Sequence, residues 1–211
     1  SCSCGYFLGY FIIYPFRCEC LEKEVFFFYN EDGGKTMFTC FVPTYHAKSI
    51  YEVDPSFYKA IGVKNLLIDL DNTLDSYRLF TPSERAVALV KQLQEAGLHL
   101  YILSNNHGPR VSSYATKIQL PFLNSARKPF AFKVKKVLKD QKFLSSETML
   151  VGDQLMTDVL CAKKAKIRVL LTEKIVKEDQ WTTVVKRWFD RPIRRHLKKK
   201  GLLKEWVNVH E

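Results

Sequence analysis

VKNLLIDL, at residues 63–70, is the stretch of sequence that decides the fold. A short run of apolar residues that ends in acidic ones is typical of a strand buried on both faces of a parallel sheet. From Ile61 onwards the chain alternates runs of this kind with helical patterns. This alternation predicts an α/β domain in which the strand at residues 63–70 lies centrally.

Four further strands and four helices are predicted downstream of this run. The strands lie at 98–103, near 121–125, at 148–151 and at 167–171, and the helices at about 81–97, 109–118, 130–141 and 157–165. Thr81 is the predicted N-cap of the first helix and Gly97 its C′ residue, and Phe132 is predicted to face the core. Strands separated by helices of this length predict a doubly wound (Rossmann-like) parallel sheet with helices on both faces.

The composition agrees with a globular protein. The 211 residues are 46% hydrophobic and 26% charged, which excludes disorder, collagen and a coiled coil as descriptions of the whole chain. The length corresponds to one domain with appendages. Lys and Arg number 33 against 22 Asp and Glu, and the net charge of +11 favours anionic partners such as phosphates, nucleic acid or a membrane surface.

Polar residues collect where the predicted strands end. These residues are Asp69, Asp71, Thr73, Ser104, Asn105, Gly152 and Asp153. In open parallel sheets the ligand binds beyond the carboxyl ends of the strands, so this edge is the expected site. Because side chains at i and i+2 of a strand share a side, Asp69 and Asp71 are expected to flank one substrate group.

The set of motifs resembles the haloacid dehalogenase (HAD) superfamily. Asp69–Thr73 is similar to its D-x-D-x-T motif, Ser104 to its second motif, Lys128 in RKPF to its third, and Gly152-Asp153 with Asp158 to its fourth. The sequences S-N-N, K-P-F and G-D-Q-L-M-T-D resemble the subfamily IIIA phosphatases of the YqeG family, relatives of mitochondrial phosphatidylglycerophosphate phosphatase. Taken singly, each motif is common in turns, but their order along the chain favours the joint interpretation.

The resemblance implies a phosphatase that hydrolyses phosphoric monoesters through an aspartyl-phosphate. Asp69 would be the nucleophile, and Asp71 would protonate the leaving oxygen and then activate water. Lys128 would neutralise the phosphoryl oxygens as a point charge. The other residues that the resemblance places on the substrate phosphate are Thr73, Ser104 and Asn105.

The resemblance also implies a metal site for Mg²⁺. Asp69, the main-chain carbonyl of Asp71 and the carboxylate of Asp153 would hold the ion, which offsets the repulsion between carboxylate and phosphate. Asp158 would support this site by orienting Lys128 or a water on the metal.

The gaps between the motifs leave no room for a large cap domain. Asp69 and Ser104 are 35 positions apart, and Ser104 and Lys128 are 24 apart. We therefore expect an open site that accepts a phosphate on something large, such as a lipid, a protein or a nucleic acid. The resemblance makes phosphatidylglycerophosphate the first choice.

Residues 1–36 differ in composition from the rest of the chain. They hold four of the six cysteines, in two C-x-C pairs, beside the aromatic run at 26–29. A zinc site and a disulfide knot are both open interpretations, although C-x-C is tighter than the usual zinc-ligand spacing. In a third interpretation, the two Gly codons before Met37 form a bacterial ribosome-binding sequence, and residues 1–36 are a non-native or disordered extension. We then expect residues 37–60 to pack on a domain at 61–175.

The C-terminal segment, residues 176–211, is predicted to be a basic extension. From Trp181 to Glu211 there are nine Lys or Arg against three acidic residues, most densely at 194–200. Charge runs usually belong to solvated helix ends. The functional interpretations are docking on an anionic membrane leaflet or on RNA.

No run reaches the roughly 18 apolar residues that cross a bilayer, and no basic residues precede the apolar run at 6–16 as in a signal peptide. These observations predict a cytoplasmic protein, with peripheral binding to the inner face of the membrane if the substrate is a lipid. The alternative function is an RNA- or ribosome-associated binding or assembly factor built on the same fold.

Overall fold

The computed structural model describes residues 39–175 and 181–209. The predictions for residues 1–36, a non-native extension, a zinc site or a disulfide knot, lie outside the described residues.

A six-stranded sheet forms the centre of the domain, and all its neighbouring strands are parallel. The strands are β1 (Tyr45–Ala47), β2 (Asn65–Asp69), β3 (His99–Leu103), β4 (Phe122–Leu123), β5 (Thr148–Gly152) and β6 (Arg168–Thr172). Their order across the sheet is β1-β6-β5-β2-β3-β4, so the run at 63–70 forms an inner strand. The predicted doubly wound parallel sheet is confirmed.

Six α-helices accompany the sheet in the described residues. They are α1 (Pro55–Ala60), α2 (Glu84–Glu95), α3 (Pro109–Lys117), α4 (Phe132–Asp140), α5 (Leu160–Ala165) and α6 (Trp181–Lys199). A π-helical turn, Leu155–Val159, leads directly into α5.

Two hydrophobic clusters, one on each face of the sheet, follow from the alternation of side chains along the strands. Leu66 and Ile68 of β2 belong to one cluster, whereas Leu67 between them belongs to the other. The first cluster takes its helical residues from α1, α2 and α3, and the second from α4, α5 and α6. A strand whose residues are all buried in this way has a continuous apolar sequence, which is why residues 63–70 carried so clear a signal.

Helix ends and faces differ from the predictions at two positions. Helix α2 begins after Ser83, whose hydroxyl accepts from the Ala86 N–H at 3.3 Å, so the predicted N-cap at Thr81 is wrong. Phe132 is 53% exposed, so its predicted core position is also wrong. Gly97 has φ of +84° just after the last turn of α2, as predicted for a C′ glycine.

The segment before residue 61 contributes an edge strand, β1, which pairs with β6. On its other side β1 contacts the C-terminal segment: the His46 N–H donates to Lys204 O at 2.7 Å, and His46 Nδ1 lies 2.8 Å from Glu205 Oε1. The C-terminal segment therefore covers an edge of the sheet that would otherwise present unpaired backbone groups.

Helix α6 packs on the domain through a buried stripe within a basic sequence. Asp190 and Leu197 are buried and Ile193 is half-buried, whereas Arg195 and Lys198–Lys200 are exposed. Positions 190, 193 and 197 share one helical face. The basic segment is thus joined to the core from residue 190 onwards.

Candidate active site

The strand register gathers the predicted motifs at one edge of the sheet. Asp69, the last residue of β2, pairs with Leu103 of β3, so Ser104 follows at the same level. On the other side Ile68 pairs with Val151 of β5, which brings Gly152 and then Asp153 to this edge. The edge is formed by the carboxyl ends of the strands, where ligands of open α/β sheets bind.

Four charged residues at this edge form a buried cluster, which we call the Asp69 cluster: Asp69, Lys128, Asp153 and Asp158. Lys128 Nζ donates to Asp69 Oδ1 and, at 2.6 Å, to Asp158 Oδ1. Oxygens of the three carboxylates lie within 4.8 Å of one another. All four side chains are buried, so the cluster holds three carboxylates and one ammonium group away from bulk water.

The charges in this cluster shift the pKa values of Asp69 and Lys128. Burial raises the pKa of Asp69 above its ordinary value, Lys128 lowers it, and the carboxylates of Asp158 and Asp153 raise it further. Burial alone would lower the pKa of Lys128, but Asp158 and Asp69 raise it well above its ordinary value, so the lysine is charged. The carboxylates outnumber the ammonium group, and a bound cation would relieve the remaining repulsion.

Gly152 is required by the close approach of Asp158. A Cβ atom built on Gly152 would lie 2.3 Å from Asp158 Cγ and 2.6 Å from Asp158 Oδ2. Asp158 itself lies in the π-helical turn, and its Oδ2 accepts from the Gln154 N–H at 3.0 Å. The glycine of the G-D motif therefore makes room for the carboxylate that contacts Lys128.

Asp71 lies in separate surroundings, which we call the Asp71 group: Asp71, Ser104, Asn106 and Arg110. Asp71 Oδ2 accepts from Ser104 Oγ at 3.1 Å and from Asn106 Nδ2 at 2.7 Å, and Arg110 donates to Asp71 Oδ1. The carboxylate is 18% exposed, against 8% for the side chain of Asp69. The two aspartates of the D-x-D motif therefore have different partners.

The remaining predicted phosphate-binding residues, Asn105 and Thr73, lie close to these groups in the chain. The Asn105 side chain bridges the backbone of Lys128, accepting from its N–H at 2.8 Å and donating to its carbonyl at 3.0 Å. Asn105 thus positions the loop that presents Lys128. Thr73 is buried, and its Oγ1 has no hydrogen-bond partner among the described residues. Direct contacts of both residues with a phosphate stay predictions.

A loop that borders the site, residues 76–82, is anchored by a buried aspartate. Asp75 Oδ2 accepts from the Ser83 N–H at 2.9 Å and from the Tyr114 hydroxyl at 2.8 Å. Arg110 also donates to the carbonyl of Leu79 at 2.9 Å, so the same guanidinium group joins this loop to Asp71. The next residue along, Phe80, is 60% exposed.

The acidic residues of the Asp69 cluster fit a divalent cation. Carboxylate oxygens are the ligands that hard cations prefer, and three of them converge here from β2, the end of β5 and the π-helical turn. The structure brings together Asp69 and Asp153, two of the predicted metal ligands, and their binding of a metal stays a prediction. Asp158 lies within the same group of oxygens and also contacts Lys128, so the geometry allows both predicted supporting roles.

A family model matches most of the domain that carries this site. Residues 36–172 match the model described as haloacid dehalogenase-like hydrolase. The chain belongs to this family. The HAD-like fold and membership predicted from the motifs are therefore confirmed, and so is the enzyme class.

A curated relative from Bacillus subtilis (strain 168), described as probable phosphatase YqeG, is 29% identical over 161 residues, which cover 76% of this chain and 94% of the relative. Together with the family match, this similarity supports the predicted phosphatase activity of the HAD enzyme.

Two solved structures are similar to this chain at low sequence identity. A 3-deoxy-D-manno-octulosonate 8-phosphate phosphatase described as putative, from Vibrio cholerae, is 18% identical with a TM-score of 0.46, and the match covers 75% of this chain and 97% of that one. A hydrolase of HAD subfamily IIIA, also described as putative, from Legionella pneumophila is 17% identical with a TM-score of 0.39, over 47% of this chain and 60% of that one.

The described residues contain neither a cap domain nor a helix that could span a membrane. The stretch from residue 70 to Lys128, described without a gap, contains two helices and two short strands and no inserted cap domain, as the spacing predicted. Within 39–175 and 181–209, no helix combines the length and the apolar composition needed to cross a bilayer.

Five residues that the structure places in or behind the site were not predicted from the sequence. They are Asp75, Asn106, Arg110, Asp190 and Arg194. Arg110 had a usable signal, because Pro109 at the first helical position fixes it in the first turn after the Ser-Asn-Asn motif. Asp190 had another, since it is an acidic residue on the apolar face of a basic helix.

Proposed function

We propose that this phosphatase is a Mg²⁺-dependent phosphomonoester hydrolase that acts through an aspartyl-phosphate on a large or lipid-borne substrate, with phosphatidylglycerophosphate as the first choice. The observation that carries the proposal is the Asp69 cluster. In it the buried carboxylate of Asp69 contacts the charged Lys128 at the carboxyl edge of the sheet. Such a carboxylate is a nucleophile shielded from bulk water, and the lysine is a positive charge for phosphoryl oxygens.

The two aspartates of the D-x-D motif divide the reaction. Asp69 attacks phosphorus while the bond from phosphorus to the leaving oxygen breaks, and Asp71 in its acid form gives that oxygen its proton. Asp71, now a carboxylate, takes a proton from water as the water oxygen attacks the aspartyl-phosphate. This second step releases inorganic phosphate and restores Asp69.

The donors around Asp71 suit a group that exchanges a proton. Ser104, Asn106 and Arg110 hold the carboxylate in one place, and its partial exposure leaves it accessible to a leaving group and to water. Arg110 stabilises the carboxylate form that must accept the proton in the second step.

The metal ligands in this proposal are Asp69, Asp153 and the main-chain carbonyl of Asp71, with Asp158 at the same cluster. When bound, Mg²⁺ supplies charge that offsets the repulsion between the phosphate and the carboxylates. Mg²⁺ keeps several waters and a few carboxylate ligands in enzyme sites, which agrees with a cluster of this size.

A lipid-borne substrate is supported by exposed aromatic side chains that are close in the chain to residues of the site. Phe80 is 60% exposed and follows Leu79, whose carbonyl binds the arginine that contacts Asp71. Phe130 is 52% exposed and lies two residues after Lys128. Both exposed aromatic residues are close in the chain to groups of the site, and an apolar border formed by them would suit a headgroup presented at a membrane surface better than a small metabolite.

Phe80 and Phe130 provide the test. The purified protein is assayed on phosphatidylglycerophosphate in anionic vesicles and on a small soluble phosphate ester. We expect F80S and F130S to lower hydrolysis in vesicles while leaving hydrolysis of the soluble ester within about twofold, because each substitution removes part of the apolar contact but no contact with the phosphate. L144S, which changes an apolar residue that is 61% exposed, is the matched control.

Different outcomes would contradict different parts of the proposal, namely the lipid substrate and the metal dependence. Equal loss on both substrates would contradict the lipid assignment and leave phosphatase activity in place. Full hydrolysis in excess chelator would contradict the metal dependence. If the protein ignored the vesicle-borne lipid and bound RNA with a steep salt dependence, the RNA-associated alternative would replace the lipid assignment.

The exposed basic residues of α6 are a second element of the membrane proposal. Lys198–Lys200 lie outside the buried stripe, and each Lys near an anionic leaflet contributes about 1 kcal/mol of attraction. Deleting residues 192–211 would not test this contribution, because the deletion also removes the fully buried Leu197 and destabilises the domain. Replacing Lys198–Lys200 by Gln tests the charge without disturbing the core.

A further inference from the structure

Helix α6 contacts the backbone of the loop that carries Asp153 and Asp158, two members of the Asp69 cluster. This loop runs from Asp153, after the last residue of β5, through Gln154 to the π-helical turn that contains Asp158. Two side chains of α6, Asp190 and Arg194, bind its backbone. They are one helical turn apart and so lie on the same face of the helix.

Asp190 accepts the first free N–H groups of the π-helical turn. Its Oδ2 accepts from the Leu155 N–H and its Oδ1 from the Met156 N–H, both at 3.0 Å. The first N–H groups of a helical segment have no partner within the segment, and a carboxylate there is favoured by both hydrogen bonding and charge. Asp190 thus fixes the start of the turn that holds Asp158, although it lies more than thirty residues away in the chain.

Arg194 holds the other end of the same loop. Its Nη2 donates to the carbonyl of Asp153 at 2.7 Å, and its Nη1 donates to the carbonyl of Thr172, at the end of β6, at 3.3 Å. The planar guanidinium group can make both bonds at once, which a lysine ammonium group cannot do with the same geometry. The backbone of Asp153 is therefore tied both to α6 and to the neighbouring strand.

A hydrogen bond within the loop lies between these two contacts. The Gln154 N–H donates to Asp158 Oδ2 at 3.0 Å, so displacement of Asp153 would carry Gln154 and Asp158 with it. Asp153, Asp190 and Arg194 line a pocket of about 200 Å³ together with residues of the loop after β6. Helix α6 is thus a wall of the cavity in which Asp153 lies.

We propose that Asp190 and Arg194 are positioning residues for the cation site, holding the carboxylates of Asp153 and Asp158 in the arrangement that binds a divalent metal. The inference rests on the metal dependence proposed above and adds a role for the basic C-terminal helix. Outer-shell groups of this kind affect metal affinity because they fix the orientation of the ligands.

Direct metal binding provides the main test. Mn²⁺ alone is titrated into the full-length protein without substrate, and bound ion is followed by loss of the free-ion electron paramagnetic resonance signal. We expect R194Q and D190N to weaken binding by about 10- to 100-fold, the usual effect of removing an outer-shell partner. R195Q, which removes one exposed charge from the same helix, is the matched control and is expected to bind like the wild type.

A second measurement separates positioning from general stability. The Mg²⁺ concentration for half-maximal hydrolysis is determined for each variant, together with the midpoint of thermal unfolding. We expect R194Q to need more Mg²⁺ and to regain most of its activity at saturation, since its metal ligands are intact. R194K keeps the charge and much of the side-chain volume but not the two-carbonyl contact, so we expect an intermediate Mg²⁺ requirement even if R194Q folds poorly.

The results that overturn the inference are distinct from those that overturn the proposed function. If the wild type needs Mg²⁺ and R194Q, R194K and D190N bind Mn²⁺ as tightly as R195Q does, the positioning role is wrong and the metal dependence stands. Lower unfolding midpoints with unchanged metal affinity would also contradict the positioning role. If the wild type binds no divalent metal and is fully active in chelator, both proposals fall.

Discussion

The two aspartates of the D-x-D motif are two residues apart, yet their surroundings differ in nearly every physical respect. Asp69 ends β2, is buried, and shares one lysine with Asp158 in a cluster that also holds Asp153. Asp71 lies just beyond the strand, is partly exposed, and accepts from three donors, including Arg110. The first environment has an excess of carboxylates, and the second supplies hydrogen bonds and positive charge to a single carboxylate.

This difference explains how similar side chains can perform different tasks. A nucleophile that attacks phosphorus benefits from burial and from a cation that reduces charge repulsion, whereas a group that gives and takes a proton must stay accessible to water. Asn72, directly after Asp71, has a left-handed conformation with φ of 65° and turns the chain away from the direction of β2. Asn tolerates this conformation better than most residues, which accounts for its place in the motif.

The largest effect is expected from D69N. This change removes the attacking charge and should lower kcat by roughly 10⁴- to 10⁶-fold, the scale on which loss of a nucleophile acts. It also removes one of the three carboxylates of the Asp69 cluster, so we expect the thermal midpoint in chelator to stay the same or rise. Steady-state kinetics and thermal unfolding measure the two effects. Near-normal turnover by D69N would show that the Asp69 cluster is not the reacting centre.

A smaller effect is expected from D71N, because general acid–base catalysis contributes about 10²- to 10⁴-fold. With a substrate whose leaving group needs no proton, the first step should survive while hydrolysis of the intermediate slows. Acid quenching followed by intact-mass measurement should then detect aspartyl-phosphate on D71N but not on D69N. Equal kinetic defects with no trapped intermediate would contradict the division of tasks.

The cluster can also be disturbed without touching a charged residue. G152A places a methyl group where Asp158 lies and should push Asp158 away from Lys128, with a loss of about 10- to 100-fold in activity or metal affinity. G108A is the matched control, because a Cβ there meets its nearest atom, the Arg110 backbone nitrogen, only at 4.0 Å. If both alanine variants keep wild-type activity, contact between Lys128 and Asp158 is not required.

How much the sequence predicts depends on whether a residue acts through the sheet or through a side-chain contact. The strand ends were predictable because apolar runs locate parallel strands, and the carboxyl edge of such a sheet brings Asp69, Ser104 and Asp153 together. The positions of these residues therefore follow directly from the positions of the strands, which the apolar runs predict. Lys128 was predicted only from the family resemblance. It lies in the loop between the short strand β4 and helix α4, so the positions of the strands do not indicate it.

The residues that were missed depend on distances that no local pattern encodes. Asp190 reaches a turn 35 positions earlier in the chain, and the bond exists only because α6 packs across that turn. The edge strand β1 is three residues long, too short for an alternation signal, and its pairing with β6 spans more than a hundred positions. The N-cap of α2 was misplaced by two residues because Thr81 and Ser83 are both good capping residues, and the Asp75 contact to the Ser83 N–H selects the second.

The smallest of these effects is expected from substitution of Arg110. This change tests the Asp71 group by removing one of the donors to the Asp71 carboxylate. R110Q removes the positive charge next to Asp71 but leaves Ser104 and Asn106 in place. A hydrogen bond to a charged group contributes about 1.5 kcal/mol or more, so we expect kcat to fall about tenfold. K117Q, which removes an exposed charge from the same helix, is the control.

The size of the loss is less informative than its distribution over the two steps. Because Arg110 stabilises the carboxylate form of Asp71, R110Q should slow hydrolysis of the aspartyl-phosphate more than its formation, and the intermediate should accumulate as in D71N. R110K keeps a positive charge on α3 and should restore part of the rate. If R110Q instead raises KM with kcat unchanged, Arg110 binds substrate directly, and the contrast between the two aspartates would need a different physical explanation.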